Sequence, residues 1–181
     1  MIVVVMGVTG CGKTTLGREL ARRLNVPFHD ADDYHPPANR AKLRANIPLG
    51  DDDRRPWLED LARHMAAWDA AGGAVLACSA LKDAYRVILR GGGAGTVVFV
   101  FVEGEAGTIA ERLKARAAEG HELIRDYDRI LAGQFRDLEE PTDAVRVSNL
   151  LPPDAMADEA MRGLGVRGFG PQQVHNRPKV D

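Results

Sequence analysis

At 181 residues, with 45% apolar and 28% charged side chains, the chain suits one ordinary domain with a sizeable core and is too apolar to be disordered. Its 24 basic and 26 acidic residues leave a formal net charge of −2, which argues against a dedicated nucleic-acid binder. No apolar run approaches the roughly 20 residues of a membrane span, no basic segment precedes the short apolar start, and two cysteines suit a reducing, cytoplasmic setting.

Ile2 to Val5 is a β-branched run that predicts a strand buried on both faces of a parallel sheet. Glycines interrupt it at 7 to 12. Leu16, Leu20 and Leu24 then mark one face of a helix over 14–24. A short strand is expected at 26–28, followed by a polar, turn-rich stretch from 30 to 55. Three aspartates before Pro56 predict a helix start, and Trp57, Leu61, Met65 and Trp68 continue it to Gly72. Strands are expected at 74–78, 96–102 and 144–147, and helices at 83–90, 106–117, 126–138 and 153–164. The alternation predicts an α/β fold: a five-stranded parallel sheet with helices on both faces. Residues 1–164 form the expected domain, and the Gly- and Pro-containing tail, 165–181, is expected to be flexible.

The most specific local signal is Gly7-Val8-Thr9-Gly10-Cys11-Gly12-Lys13-Thr14, a full match to G-x-x-x-x-G-K-[ST] between a predicted strand and a predicted helix. Glycines there let backbone N–H groups converge on phosphate oxygens, and the helix start adds its positive dipole end. Lys13 would reach the outer phosphates and the Thr14 hydroxyl would ligate Mg²⁺. Gly7, Thr9, Gly10, Cys11, Gly12, Lys13, Thr14 and Thr15 form the expected ATP-binding set, although Thr15 alone reads as a plain helical residue. Cys11 reads either as a small residue tolerated at a variable position or, more sharply, as a thiol activated by the helix end and Lys13.

The chain has no N-K-x-D to read guanine, and 74–78 does not end in the aspartate of a large ATPase. The nearest acidic pair is Asp30-Ala31-Asp32, at the end of the second strand, which opens on the same crevice as the phosphate loop. Residues at i and i+2 of an extended segment share a side. One of the two is therefore expected to support Mg²⁺ and the other to accept a proton from the attacking hydroxyl, while Asp33 points away.

With His35-Pro36-Pro37-Ala38-Asn39, Lys42, Asp51 to Arg54, Pro56-Trp57-Leu58, Cys78-Ser79-Ala80-Leu81-Lys82, Tyr85-Arg86 and Leu138-Glu139-Glu140-Pro141, these motifs resemble gluconokinase over roughly residues 2 to 162. The resemblance implies a P-loop three-layer sandwich of the nucleoside monophosphate kinase type. It also implies ATP- and Mg²⁺-dependent phosphorylation of D-gluconate at the 6-hydroxyl, by an enzyme often found as a cytoplasmic homodimer. Asp32, His35, Asn39, Lys42, Arg54, Lys82 and Arg86 become the expected substrate-binding residues, and an arginine could hold the carboxylate bidentately. Asp51 and Asp52 read as a helix cap with local ion pairs.

Arg112 and Arg116 lie one turn apart, and the resemblance casts them as arginines that close over the phosphates, with Lys13, Asp32 and Arg116 as the catalytic set and Asp30 supporting Mg²⁺. The lid, at about 117–128, departs from the family pattern. Three residues separate Arg116 from Gly120-His121, and Glu122-Leu123 replaces an apolar pair. Leu43 and Asn46 stand where the family has Met and Gly. The rival expectations are a same-fold kinase for shikimate or another small acceptor, and a nucleotide-binding module without turnover.

Overall fold

The computed structural model describes residues 1–45, 47–118 and 127–166. A five-stranded parallel sheet forms its centre, in the order β2-β3-β1-β4-β5. The strands are β1 (Ile2–Met6), β2 (Phe28–Asp30), β3 (Ala74–Ala77), β4 (Val97–Glu103) and β5 (Val145–Ser148). The helices are α1 (Lys13–Leu24), α2 (Pro37–Arg44), α3 (Asp51–Ala70), α4 (Asp83–Gly91), α5 (Ala106–Ala118), α6 (Tyr127–Asp137) and α7 (Pro153–Val166).

β1 is central because all five of its residues are buried and it pairs on both sides, Val4 opposite Leu76 of β3 and Phe99 of β4. A parallel strand covered on both faces cannot alternate polar and apolar side chains. Its odd and even residues feed separate cores. Val3 and Val5 join Leu16, Leu20 and Leu113 on one face; Ile2, Val4 and Met6 join Leu58, Leu61 and Leu89 on the other. Each such leucine contributes about 1.5–3 kcal/mol by leaving water.

Three local departures from the expected elements matter for the site. β2 begins two residues later than expected. The Val26 N–H is spent on the Ala21 carbonyl at the end of α1, and Pro27 has no N–H, so pairing starts only at Phe28. The stretch after β2 is not a plain loop. Ala31–Tyr34 forms a 3-10 turn and α2 follows, with Pro37 in its first turn where a missing N–H costs nothing. α3 starts at Asp51 and carries Pro56 within its second turn; the Asp53 carboxylate accepts the Gly50 N–H at 3.1 Å and closes its N-terminus. Asn46, most of the lid and the tail beyond 166 lie outside the described residues.

Candidate active site

The carboxyl ends of β1, β2 and β3 open on one crevice, and the loop from Gly7 to Lys13 forms its floor. Gly7, Gly10 and Gly12 adopt positive φ of 141°, 73° and 111°. At Gly10 a Cβ would also meet the Leu113 side chain at 2.7 Å, so the loop is glycine by conformation and by space. Lys13 rests its ammonium on the Val8 carbonyl at 2.8 Å, a loop contact that phosphate oxygens can replace. Thr15 lies on the exposed face of α1, in keeping with a plain helical residue.

The Cys11 thiol is not activated. It is 1% exposed, and burial pushes its pKa up against the opposing pull of Lys13. The activated thiol expected from the helix end is therefore corrected: desolvation outweighs the local charge.

Asp30 ends β2. One carboxylate oxygen receives the Thr14 hydroxyl at 3.3 Å, and the other receives the Asp32 N–H at 3.2 Å. That second bond turns the chain, so Asp30 and Asp32 do not share an extended segment as expected. They face the crevice for a different reason, the 3-10 turn. Burial raises the Asp30 pKa above the ordinary aspartate range. Thr14 and Asp30 together supply two hard oxygen donors, the kind Mg²⁺ prefers alongside water and substrate phosphates. Among the described residues no group of three or more His, Cys, Asp or Glu could hold a metal by itself.

Asp32 has the opposite environment. The His35 imidazole lies 3.6 Å away and, with the charges of Lys13 and Arg54, holds the Asp32 carboxyl below its ordinary range. The carboxylate stays open to the crevice, 86% exposed, although protein groups surround that concavity. His35 is itself fixed. It stacks on Trp57 at 4.1 Å, and the Trp57 indole N–H donates to the Ala31 carbonyl at 3.1 Å.

The start of α3 organises the rest. Asp53 receives Lys42 at 2.6 Å, and its backbone carbonyl receives the Asn39 amide at 2.9 Å, which docks α2 on α3. Asp51 receives Lys82 at 2.8 Å and the Tyr85 hydroxyl. Asp51 is therefore no local cap, as the sequence suggested, because it bridges 31 residues to the loop after β3. Lys42 and Lys82 are already neutralised. Arg54 has no carboxylate within ion-pair distance among the described residues; its guanidinium lies 5.9 Å from the Tyr85 ring centre and donates to the Leu49 carbonyl at 3.3 Å. Arg86 is withdrawn from the crevice. It is 2% exposed and donates to the carbonyls of Ala80 and Leu81, so it shapes the Lys82 loop from behind.

Arg112 is also placed differently from expectation. Its guanidinium donates to the Asn149 carbonyl at 2.8 Å, in the loop after β5. The Arg116 side chain lies outside the described residues, although α5 runs through its position. Two residues escaped the sequence reading of the site. Trp57 looked like a plain core position on α3. Gln134 accepts the Thr9 N–H at 2.5 Å. Its signal was the family resemblance, which extends through Gln134-Phe135 without giving the glutamine a role.

A glycine-walled phosphate loop, a hydroxyl–carboxylate pair and a second carboxylate held ionised define a P-loop phosphotransferase. The family model described as shikimate kinase matches residues 9–140. The gluconokinase of Gluconobacter oxydans is 42% identical over 166 residues, covering 88% of this chain and 89% of that protein. The gluconokinase of Arabidopsis thaliana is 38% identical, covering 87% and 88%. A crystal structure of a gluconokinase from Sinorhizobium meliloti superposes with a TM-score of 0.80 at 34% identity, covering 97% of both chains. The chain belongs to the gluconokinase family, within the shikimate kinase group of P-loop kinases.

Proposed function

We propose that the protein transfers the γ-phosphoryl group of ATP to the 6-hydroxyl of D-gluconate, giving 6-phosphogluconate and ADP. The observation that carries the reading is the charge layout of the acceptor half. Lys42 and Lys82 are tied to aspartates at ion-pair distance, while Arg54 has no carboxylate that close among the described residues and feels Asp32, Asp51 and Asp53 only at longer range. A planar guanidinium suits the carboxylate of a sugar acid. Asp32, His35, Lys42 and Lys82 offer the hydrogen-bonding groups a polyol needs. The named relatives support the same acceptor.

The phosphate loop and Lys13 hold the triphosphate. Asn149 is buried with both amide atoms unpartnered among the described residues, which fits an adenine edge beside Arg112. Thr14 and Asp30 would hold Mg²⁺, which when bound offsets phosphate charge. Asp32 accepts the hydrogen bond of the 6-hydroxyl and aims its oxygen in line with the γ-phosphorus. The new O–P bond forms as the bond to the β–γ bridging oxygen breaks, and the hydroxyl proton leaves through Asp32. Because Asp32 stays ionised, its main contribution is orientation, with proton acceptance completed late.

A coupled ADP-release assay across D-gluconate, shikimate and nucleoside monophosphates tests the reading. Gluconate should give the highest kcat/KM; preference for shikimate would overturn the acceptor, and ATP binding without ADP release would overturn turnover. No described helix is long and apolar enough to cross a membrane. We read the enzyme as a cytoplasmic homodimer, and sedimentation at twice the chain mass checks the assembly.

A further inference from the structure

The segment from Gln134 to Glu139 touches both halves of the crevice, yet none of its residues takes part in the chemistry above. At one end the Gln134 amide oxygen accepts the Thr9 N–H at 2.5 Å. The donor is a backbone N–H, so the amide orientation is fixed. At the other end the Glu139 N–H donates to the Leu81 carbonyl at 3.0 Å, and the Glu139 carboxylate accepts the Asp83 N–H at 2.6 Å. Between them Leu138 packs against the cores on both faces of the sheet, which fixes the segment at mid-length.

The Glu139 contact does a specific job. Lys82 is the N-cap residue of α4 and provides no side-chain cap. Helix starts usually take that oxygen from Ser, Thr, Asp or Asn at the cap itself. Here a carboxylate from a distant segment supplies it, with the charge sign that the helix dipole favours. Fixing the start of α4 fixes the backbone of Lys82, which faces Asp51 and the acceptor half. Packing does not require either contact. Leu131, Phe135 and Leu138 already bind α6 to the core, while Glu139 is exposed.

We propose that Gln134 and Glu139 are positioning residues that couple the phosphate loop to the Lys82 loop. Nucleotide in the loop orders Thr9, Thr9 orders Gln134, and the rigid 134–139 segment carries that order to Asp83 and Lys82. The link runs equally in reverse, as binding linkage demands. The inference rests on Lys82 serving the acceptor.

The test is the affinity of the full chain for a non-hydrolysable ATP analogue with Mg²⁺, with and without saturating D-gluconate. In the unaltered protein gluconate should tighten the analogue by about five-fold or more, and the analogue should tighten gluconate by the same factor. Gln134→Ala and Glu139→Ala should each bring that factor below about two-fold, with each ligand's separate affinity and the melting temperature nearly unchanged. Glu139→Gln keeps an oxygen for the Asp83 N–H and should retain the coupling, which a general loss of structure would not allow. Coupling that survives both alanine variants, or is absent from the unaltered protein, overturns the link. So does coupling that Glu139→Gln loses. A protein that binds the analogue but not gluconate overturns the acceptor reading, and the coupling with it.

Discussion

The two halves of the crevice are built from different materials. The nucleotide half is mostly backbone, a loop whose shape follows from three glycines at positive φ and whose binding groups are N–H donors. The acceptor half is mostly side chains, brought together from β2, α2, α3 and the loop before α4. Backbone recognition suits a ligand shared by many enzymes, because phosphate needs only convergent donors. Side-chain recognition suits the ligand that distinguishes this enzyme, because each charge can be paired or left free. Lys82 is bound to Asp51 and Lys42 to Asp53, and in the proposed function Arg54 is the cation that takes the acid.

The largest effect should come from the charged side chain of the phosphate loop itself. Lys13→Met should lower kcat by about 10²–10³-fold, the usual loss when one preorganised donor to developing charge is removed. Single-turnover ADP release reads it. A loss below tenfold would mean that the backbone cradle suffices alone.

At the junction of the halves, Asp32→Asn should lower kcat by about 10²-fold with little change in gluconate KM. The two aspartates should also part company with pH. Asp32 has a lowered pKa, so its charge, and the stability that charge brings, persists above the ordinary aspartate range and is lost only as pH falls through the depressed value. Asp30 has a raised pKa and takes up its proton sooner on acidification. The Mg²⁺ requirement should therefore rise on acidification before Asp32 loses its charge, while kcat at saturating Mg²⁺ stays flat over that range. A fall in kcat at saturating Mg²⁺ over that range would assign the acid limb to Asp32.

The same contrast explains what could be read from the sequence. The phosphate loop was legible because its chemistry is local: eight consecutive residues, a strand before and a helix after. The sheet was legible because the buried strands are continuous apolar runs. The acceptor half was legible only as a set of residue types. Which lysine meets which aspartate depends on how α3 lies against α4, and no local pattern records that. The burial of Arg86 cannot be read from a C-S-A-L-K-x-x-Y-R string. Arg112 followed helix-face logic, but its partner is the carbonyl of a loop 37 residues away. The 3-10 turn and α2 went unseen because prolines and aspartates there look like breakers, whereas Pro37 in fact opens α2.

In the acceptor half, Arg54→Ala should raise gluconate KM by about ten- to a hundred-fold, matching a hydrogen bond to a charged group worth about 1.5–3 kcal/mol, with ATP KM nearly unchanged. Arg54→Lys keeps the charge and loses the fork, so it should recover only part of the affinity. Steady-state kinetics with each substrate varied in turn separates these outcomes. If Lys82→Ala raised gluconate KM more than Arg54→Ala, the unpaired cation would not be the one that takes the acid.

The smallest effect is expected in the nucleotide half, at the one side chain there that looks reactive. Cys11 sits between Gly10 and Gly12, beside a lysine and the start of α1, where a thiol would ordinarily be activated. Its sulfur is instead packed against Gly7, close enough that a Cβ on that glycine would lie 2.9 Å from it. Burial dominates, the thiol stays protonated near neutral pH, and the loop shields it from reagent. Iodoacetamide should leave the native enzyme's activity intact while labelling Cys11 fully after denaturation. Cys11→Ser should keep kcat within about two-fold, since it exchanges one small buried group for another at a position where the backbone does the binding. Rapid inactivation by the reagent, prevented by ATP, would mean that the loop opens often enough to expose the thiol. The nucleotide half would then be no more rigid than the acceptor half.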